Sequence, residues 1–151
     1  MAIKIDRRSS DISYDQHGFA MTELLPGTYD GGIRNFRCRL KAGNDHSPQL
    51  YGDKTAVLFF GMGKGYVTDE KDAHNIEELS FYIPEFDKTP YTIHAVEDME
   101  FVLSVVEMNQ WDWEVYRASH ARLPFFRPIS KCSVYDQSCK GPKTSSWNVL
   151  Q

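Results

Sequence analysis

No stretch of the sequence approaches the about eighteen consecutive apolar residues that a membrane-spanning helix needs, so no such helix is expected. The opening MAIKIDRRSS has no apolar core of the kind that directs export, and a cytoplasmic location is the expectation. No stripe of lysine and arginine runs through the chain. With a formal charge of −4 at pH 7, this argues against a nucleic-acid surface. Cysteine is scarce. Cys38, Cys132 and Cys139 make an odd count, and in a reducing compartment free thiols are the default. The spacing of Cys132 and Cys139 is no recognised zinc spacing. Internal repeats and low-complexity segments are also missing. The 151 residues, 41% hydrophobic and 25% charged, suffice for one domain with a usable core.

What is present is a ladder of short apolar runs separated by turn residues. Ala56–Phe60 is apolar throughout and ends on Gly61. Gly65–Thr68 is β-prone and leads into the polar turn Asp69–Asn75. Leu79–Ile83 stops at Pro84, Tyr91–Val96 stops at Glu97-Asp98, and Met99–Val106 follows. Strands of this length at this spacing predict an all-β antiparallel sandwich or barrel. Upstream, Met21–Leu25 reads as a short strand ended by Pro26-Gly27. In Ile33–Leu40, Phe36, Cys38 and Leu40 alternate with Arg37 and Arg39, the period of a half-buried strand. The apolar set should face the core. The arginines then face solvent, or sit beside a barrel mouth and bind a ligand's carboxylate or phosphate.

Lys41–Asp53 is an irregular loop carrying His46. Beyond Met108, Trp111, Trp113 and Val115 alternate and could extend the sheet, while Val115–Arg122 could equally make two helical turns. Pro124 and Pro128 interrupt regular structure, and Ser145–Leu150 reads as a final strand that pairs with its own sheet or with another subunit. Gly61-Met62-Gly63-Lys64-Gly65 looks like a phosphate loop but lies between two strands, without the following helix that a phosphate loop needs, and is read as a β-turn. Asp69–Asp72 is a charged hairpin tip, with His74 and the pair Glu77-Glu78 expected to face solvent.

Lys54–Val106 resembles the core of the cupin superfamily, the RmlC-like jelly-roll or double-stranded β-helix barrel. Three features carry the resemblance: the glycine-rich Gly61–Val67, the strand Leu79–Ile83 ending at Pro84, and Lys88-Thr89-Pro90-Tyr91 at the turn into the second motif. The resemblance implies one barrel over residues 33–116. An N-terminal arm and first strand (1–32) would precede it, and a C-terminal extension (117–151) available for dimerisation would follow. The motif's metal ligands are degenerate here. His46 stands without its companion histidine, Pro48 takes that place, Asp53 is the only nearby carboxylate, and Tyr91 replaces the second-motif histidine. His94 follows three residues later, on the opposite face of an extended strand from Tyr91, Ile93 and Ala95. No metal site is assigned. A divalent metal through His46 would have to recruit Glu23, His17 or His120 from outside the motif.

The function read here is that of a small-molecule binding barrel with no assigned catalytic residue; the resemblance implies a sugar or small carboxylate as its ligand, and the tail Ser145–Gln151 with the aromatic arm at Tyr14 and Phe19 points to a homodimer. Phe59, Tyr91, Ile93, Phe101 and Leu103 are expected to line the interior, and His46, Tyr51, Arg37 and Arg39 to orient the ligand at the mouth. The alternative is a metal-dependent isomerase, epimerase or lyase acting on a small carbohydrate or organic acid. In that reading His46 serves as ligand or base and Tyr91 as proton donor.

Overall fold

A computed structural model describes residues 13–24, 32–52, 54–86, 90–119, 122–137 and 144–148. Asp53, His120, Cys139, Lys88-Thr89 and the turns at Pro26-Gly27 and Gly141-Pro142 lie outside these residues.

Every strand pairing among the described residues is antiparallel. The larger sheet has six strands: β1 (Phe19–Leu24), β2 (Ile33–Leu40), β4 (Thr55–Met62), β7 (Ser80–Ile83), β9 (Met99–Val106) and β10 (Phe125–Pro128). Their order across the sheet is β1-β2-β9-β4-β7-β10. The smaller sheet has four: β3 (Asp45–His46), β5 (Gly65–Thr68), β6 (Ala73–Ile76) and β8 (Thr92–Ala95), in the order β3-β8-β5-β6. β11 (Ser133–Gln137) and β12 (Thr144–Asn148) form a separate two-stranded sheet. The C-terminal strand therefore pairs within its own chain, Val134 opposite Trp147.

The core fills the space between the two larger sheets. Strict alternation puts Phe36, Cys38 and Leu40 of β2 inward, with Phe101, Leu103 and Val105 of β9 beside them. From the smaller sheet come Val67, Ile76, Ile93 and Ala95. Tyr82 and Tyr91 are buried with rings 5.2 Å apart. The Tyr82 hydroxyl donates to Asp69 at 2.9 Å, so its polar end is satisfied inside the core.

Phe59 is the exception to the expected interior. In β4 the buried residues are Ala56, Leu58 and Phe60, so Phe59 lies on the outer face, packed on Phe81 at 5.0 Å. A run of five apolar residues carries no period, and its facing is set by register with β9, where Leu58 pairs with Leu103.

The β4–β5 connection is a tight turn. Gly63 has φ +81°, and a Cβ there would stand 2.1 Å from the carbonyl oxygen of Asp98. Only glycine meets both conditions.

The segment after β9 is helical. Helix α1 (Gln110–Ala118) starts at a capping box, in which the Asn109 side chain accepts from the Asp112 N–H and the Asp112 carboxylate accepts from the Asn109 N–H. Trp113 and Tyr116, three residues apart on one helix face, both pack on Phe86. β6 and β10 form where only polar turn and broken chain are expected from sequence. Both are edge strands, and β10 carries its proline at the last position, where a missing N–H costs little. His74 of β6 is consequently half-buried, stacked on Phe126 at 5.0 Å, rather than solvent-facing.

Candidate functional site

The site is built where the edge of the larger sheet meets the edge of the smaller one. β1 ends the first and β3 ends the second. Phe19 of β1 and His46 of β3 close the seam between them, their rings stacked at 3.4 Å and 11°. Behind this stack lies a cavity of about 420 Å³. Phe36 and Leu103 form its apolar floor, Phe19 and Met21 one wall, and the loop Ser47–Gln49 with Tyr51 the other. Arg34 closes one end.

Each of these side chains is placed by strand parity. Phe19, Met21 and Glu23 pair with Leu40, Cys38 and Phe36, so all six share the inner face. Arg34 lies two residues before Phe36 and has the same parity. It is the arginine of β2 that reaches the cavity, its guanidinium 5.0 Å from the Phe36 ring. Glu23 holds it through two hydrogen bonds, from Nε at 2.9 Å and Nη2 at 3.1 Å.

Of the residues expected to orient a ligand, His46 and Tyr51 meet in this cavity. Arg37 and Arg39 do not. They lie on the outer face of the sheet and share Glu100, Arg37 by a two-pronged contact at 2.8 and 2.9 Å and Arg39 at 2.9 Å. These bonds hold the Glu100 carboxyl below its ordinary range. Phe59 is also on the outer face. Tyr91 is inside, as alternation requires, next to Tyr51. Burial pushes the hydroxyls of both tyrosines up, so each stays protonated at neutral pH. Burial pushes His46 the other way and favours its neutral ring, against the pull of nearby Asp15. Cys38, deep in the core, has its thiol pushed up to about 12 by burial and is inert.

Arg34 is the residue that a reading of the sequence misses. A signal for it exists, because extending the Phe36–Cys38–Leu40 parity by one step toward the N-terminus reaches it.

His94 points away from the cavity, as its position relative to Tyr91 predicts. Its Nδ1 is 2.8 Å from Asp45 and its Nε2 2.9 Å from the Thr68 hydroxyl, with Tyr66 stacked on its face at 4.4 Å. This chain of contacts crosses β3, β8 and β5 and fastens the edge strand that carries His46.

A transition metal needs about three or more nitrogen, oxygen or sulfur ligands. Among the described residues no group of three histidine, cysteine, aspartate or glutamate side chains could hold one. His46 is packed against Phe19, Glu23 is engaged by Arg34, and His17 contacts Gln16 at 3.0 Å. The described residues do not fit a metal at this site.

No protein-family model and no curated protein matches the sequence. Solved structures do. An RmlC-like cupin protein from Desulfovibrio desulfuricans is 14% identical with a TM-score of 0.54, over 70% of this chain and 97% of that one. A predicted oxalate decarboxylase from Thermotoga maritima is 17% identical with a TM-score of 0.57, over 69% and 100%. Ectoine synthase from P. lautus is 17% identical with a TM-score of 0.54, over 78% and 83%. At this identity the likeness is one of architecture alone, and the fold of this protein is the one seen in these cupin structures.

Proposed function

We propose that this protein binds a small polar metabolite, a sugar or a small carboxylate, in the cavity behind the Phe19–His46 stack. One observation carries the reading. A space of about 420 Å³ between the sheets combines an apolar floor, Phe36 and Leu103, with a few convergent polar groups at its rim, Arg34, His46 and Tyr51. That is the usual make-up of a small-molecule site. The floor takes a ring's apolar face, the stacked His46 and Phe19 cover it, and the Arg34 guanidinium adds positive charge at one end. The names of similar structures include enzymes, but the described residues here offer neutral His46 as the one group of the cavity suited to moving a proton near pH 7. Binding is therefore the function, in the cytoplasm and as a homodimer. Exposed apolar side chains at Trp111 and Val115 of α1 support the second of these, and light scattering tests it.

A thermal-shift screen of sugars and small acids tests the binding reading. A ligand at a hundred times its Kd adds about 2.7 kcal/mol to the folded state, a rise of roughly 5–10 °C for a chain of this size. Met21 lines the cavity yet is half exposed, so Met21→Trp should fill the space without disturbing the core. A hit that Met21→Trp abolishes supports the reading. A hit that survives it, or no hit at all, counts against it.

A further inference from the structure

The inner face of the larger sheet changes character at one end. Through the core it is apolar: Phe36, Leu103 and Ala56 lie on β2, β9 and β4. One or two steps further along the same parity it carries Arg34 on β2, Glu107 just past β9 and Lys54 just before β4. Glu23 completes the row on β1. In strand order the charges alternate: Glu23, Arg34, Glu107, Lys54. Register explains the neighbours. Val106 pairs with both Ile33 and Thr55, and the next residue, Glu107, donates its N–H to the Gly32 carbonyl and takes Lys54 at 3.0 Å.

Three members of this row, Arg34, Glu107 and Lys54, line a second cavity of about 420 Å³ together with Gly32. Arg34 lines both cavities. An apolar-floored space for a ring thus joins, through one guanidinium, a polar space with two cations and one carboxylate. Glu107 is 63% exposed, so its hold on Lys54 is weak and readily exchanged for another carboxylate.

We propose that the ligand is a polyhydroxylated carboxylate of sugar size, whose acid group binds at Arg34 and Lys54 while its ring rests on Phe36 and Leu103. Arg34, held by Glu23 at Nε and Nη2, supplies the positive charge of its guanidinium, and Lys54 supplies a second. Glu107 accepts hydrogen bonds from hydroxyls, which a simple fatty or aryl acid lacks. This inference rests on the binding reading above, and deepens it by naming the ligand's class.

The experiment is isothermal titration of the full chain with galacturonate, galactose, galactose 6-phosphate and benzoate. The expected order is galacturonate well ahead of galactose and benzoate. Arg34→Gln and Lys54→Gln should each weaken galacturonate about tenfold or more, the loss of a charge-assisted contact, and weaken galactose much less. Glu23→Gln should strengthen galacturonate, because it removes the carboxylate that competes for Arg34. Circular dichroism of each variant confirms the fold. Galacturonate and galactose binding equally, with no effect of either cation variant, overturns the acid-group assignment and leaves the binding site standing. Benzoate matching galacturonate overturns the hydroxyl requirement, and galactose 6-phosphate exceeding it overturns the carboxylate in favour of a phosphate. Binding by none of the four, or binding that Met21→Trp does not reduce, overturns the site itself and the inference with it.

Discussion

Phe19 and His46 stack at 3.4 Å across the seam where β1 and β3, the edge strands of two different sheets, face each other. The contact bears on the protonation state of His46 as well as its position. The ring is half-buried, and burial favours its neutral form. A group whose folded pKa lies below its unfolded value contributes its full stability above the unfolded pKa, here 6.5, and loses it as pH falls through the folded pKa. Stability should therefore decline with acidification below pH 6.5. His46→Phe keeps an aromatic stack without the titration. The difference between wild type and His46→Phe in urea midpoint should be flat above pH 6.5 and turn against wild type below it. A constant difference across that range would show that His46 titrates alike in both states.

A second pH dependence, on the opposite face, has a different origin. Glu100 accepts from both Arg37 and Arg39, and its carboxyl is held below the ordinary 4.5. The sign is the same: the contribution is present above pH 4.5 and is lost as pH falls through the lower folded value. All three side chains are partly exposed, which discounts the pair for solvent screening. Glu100→Gln should cost about 1 kcal/mol at pH 7 and little at pH 3. Chemical denaturation at the two pH values checks it, and an equal loss at both would mean that packing, not charge, is what Glu100 contributes.

Much of this fold is written in the period of its strands. β2, β5 and β9 fall on Ile33–Leu40, Gly65–Thr68 and Met99–Val106, where alternation is clean or turn residues bracket the run. Legibility fails where the pattern carries no phase or the wrong one. Ala56–Phe60 is uniformly apolar, so nothing in the run distinguishes the facing of Phe59 from that of Phe60. Trp111, Trp113 and Val115 alternate like a strand, yet Asn109 and Asp112 spell a capping box, and the helix follows the cap. β6 buries only Ile76 and leaves no hydrophobic signal at all. In the site, His46 and Tyr51 are legible as polar residues near a barrel mouth. Arg34 yields to Arg37 and Arg39 in a reading by residue type, while the strand sorts its arginines by parity.

The parity of β4 and β9 sets up a paired test. Phe101 is 2% exposed and packs on Phe60 at 5.4 Å, whereas Phe59 sits half-exposed on the outer face. Phe101→Ala should cost about 3–5 kcal/mol, the transfer and cavity terms of a core phenylalanine. Phe59→Ala should cost well under half of that, since its ring keeps water on one side. Equal losses in guanidinium melts would mean that the outer face of the sheet is covered by something more than Phe81.

The turn at Gly63 gives the sharpest steric prediction. With φ at +81°, any L-residue is strained, and a Cβ would meet the Asp98 carbonyl oxygen at 2.1 Å and the Met99 Cα at 2.9 Å. Both obstacles are backbone, so no side-chain rotation relieves them. The neighbouring strand would have to move, and that strand begins β9, the centre of the larger sheet. Gly63→Ala should therefore cost more than the ~1 kcal/mol that a glycine replacement at positive φ costs in open space. Gly43 supplies the control. Its φ is +75°, but among the described residues nothing lies within 4 Å of the position a Cβ would take, so Gly43→Ala carries the backbone strain without the clash. Thermal melts of the two variants separate the terms. A Gly63→Ala protein that melts level with Gly43→Ala would mean that β9 yields to the turn and that the registry of β4 on β9 is softer than its paired residues imply.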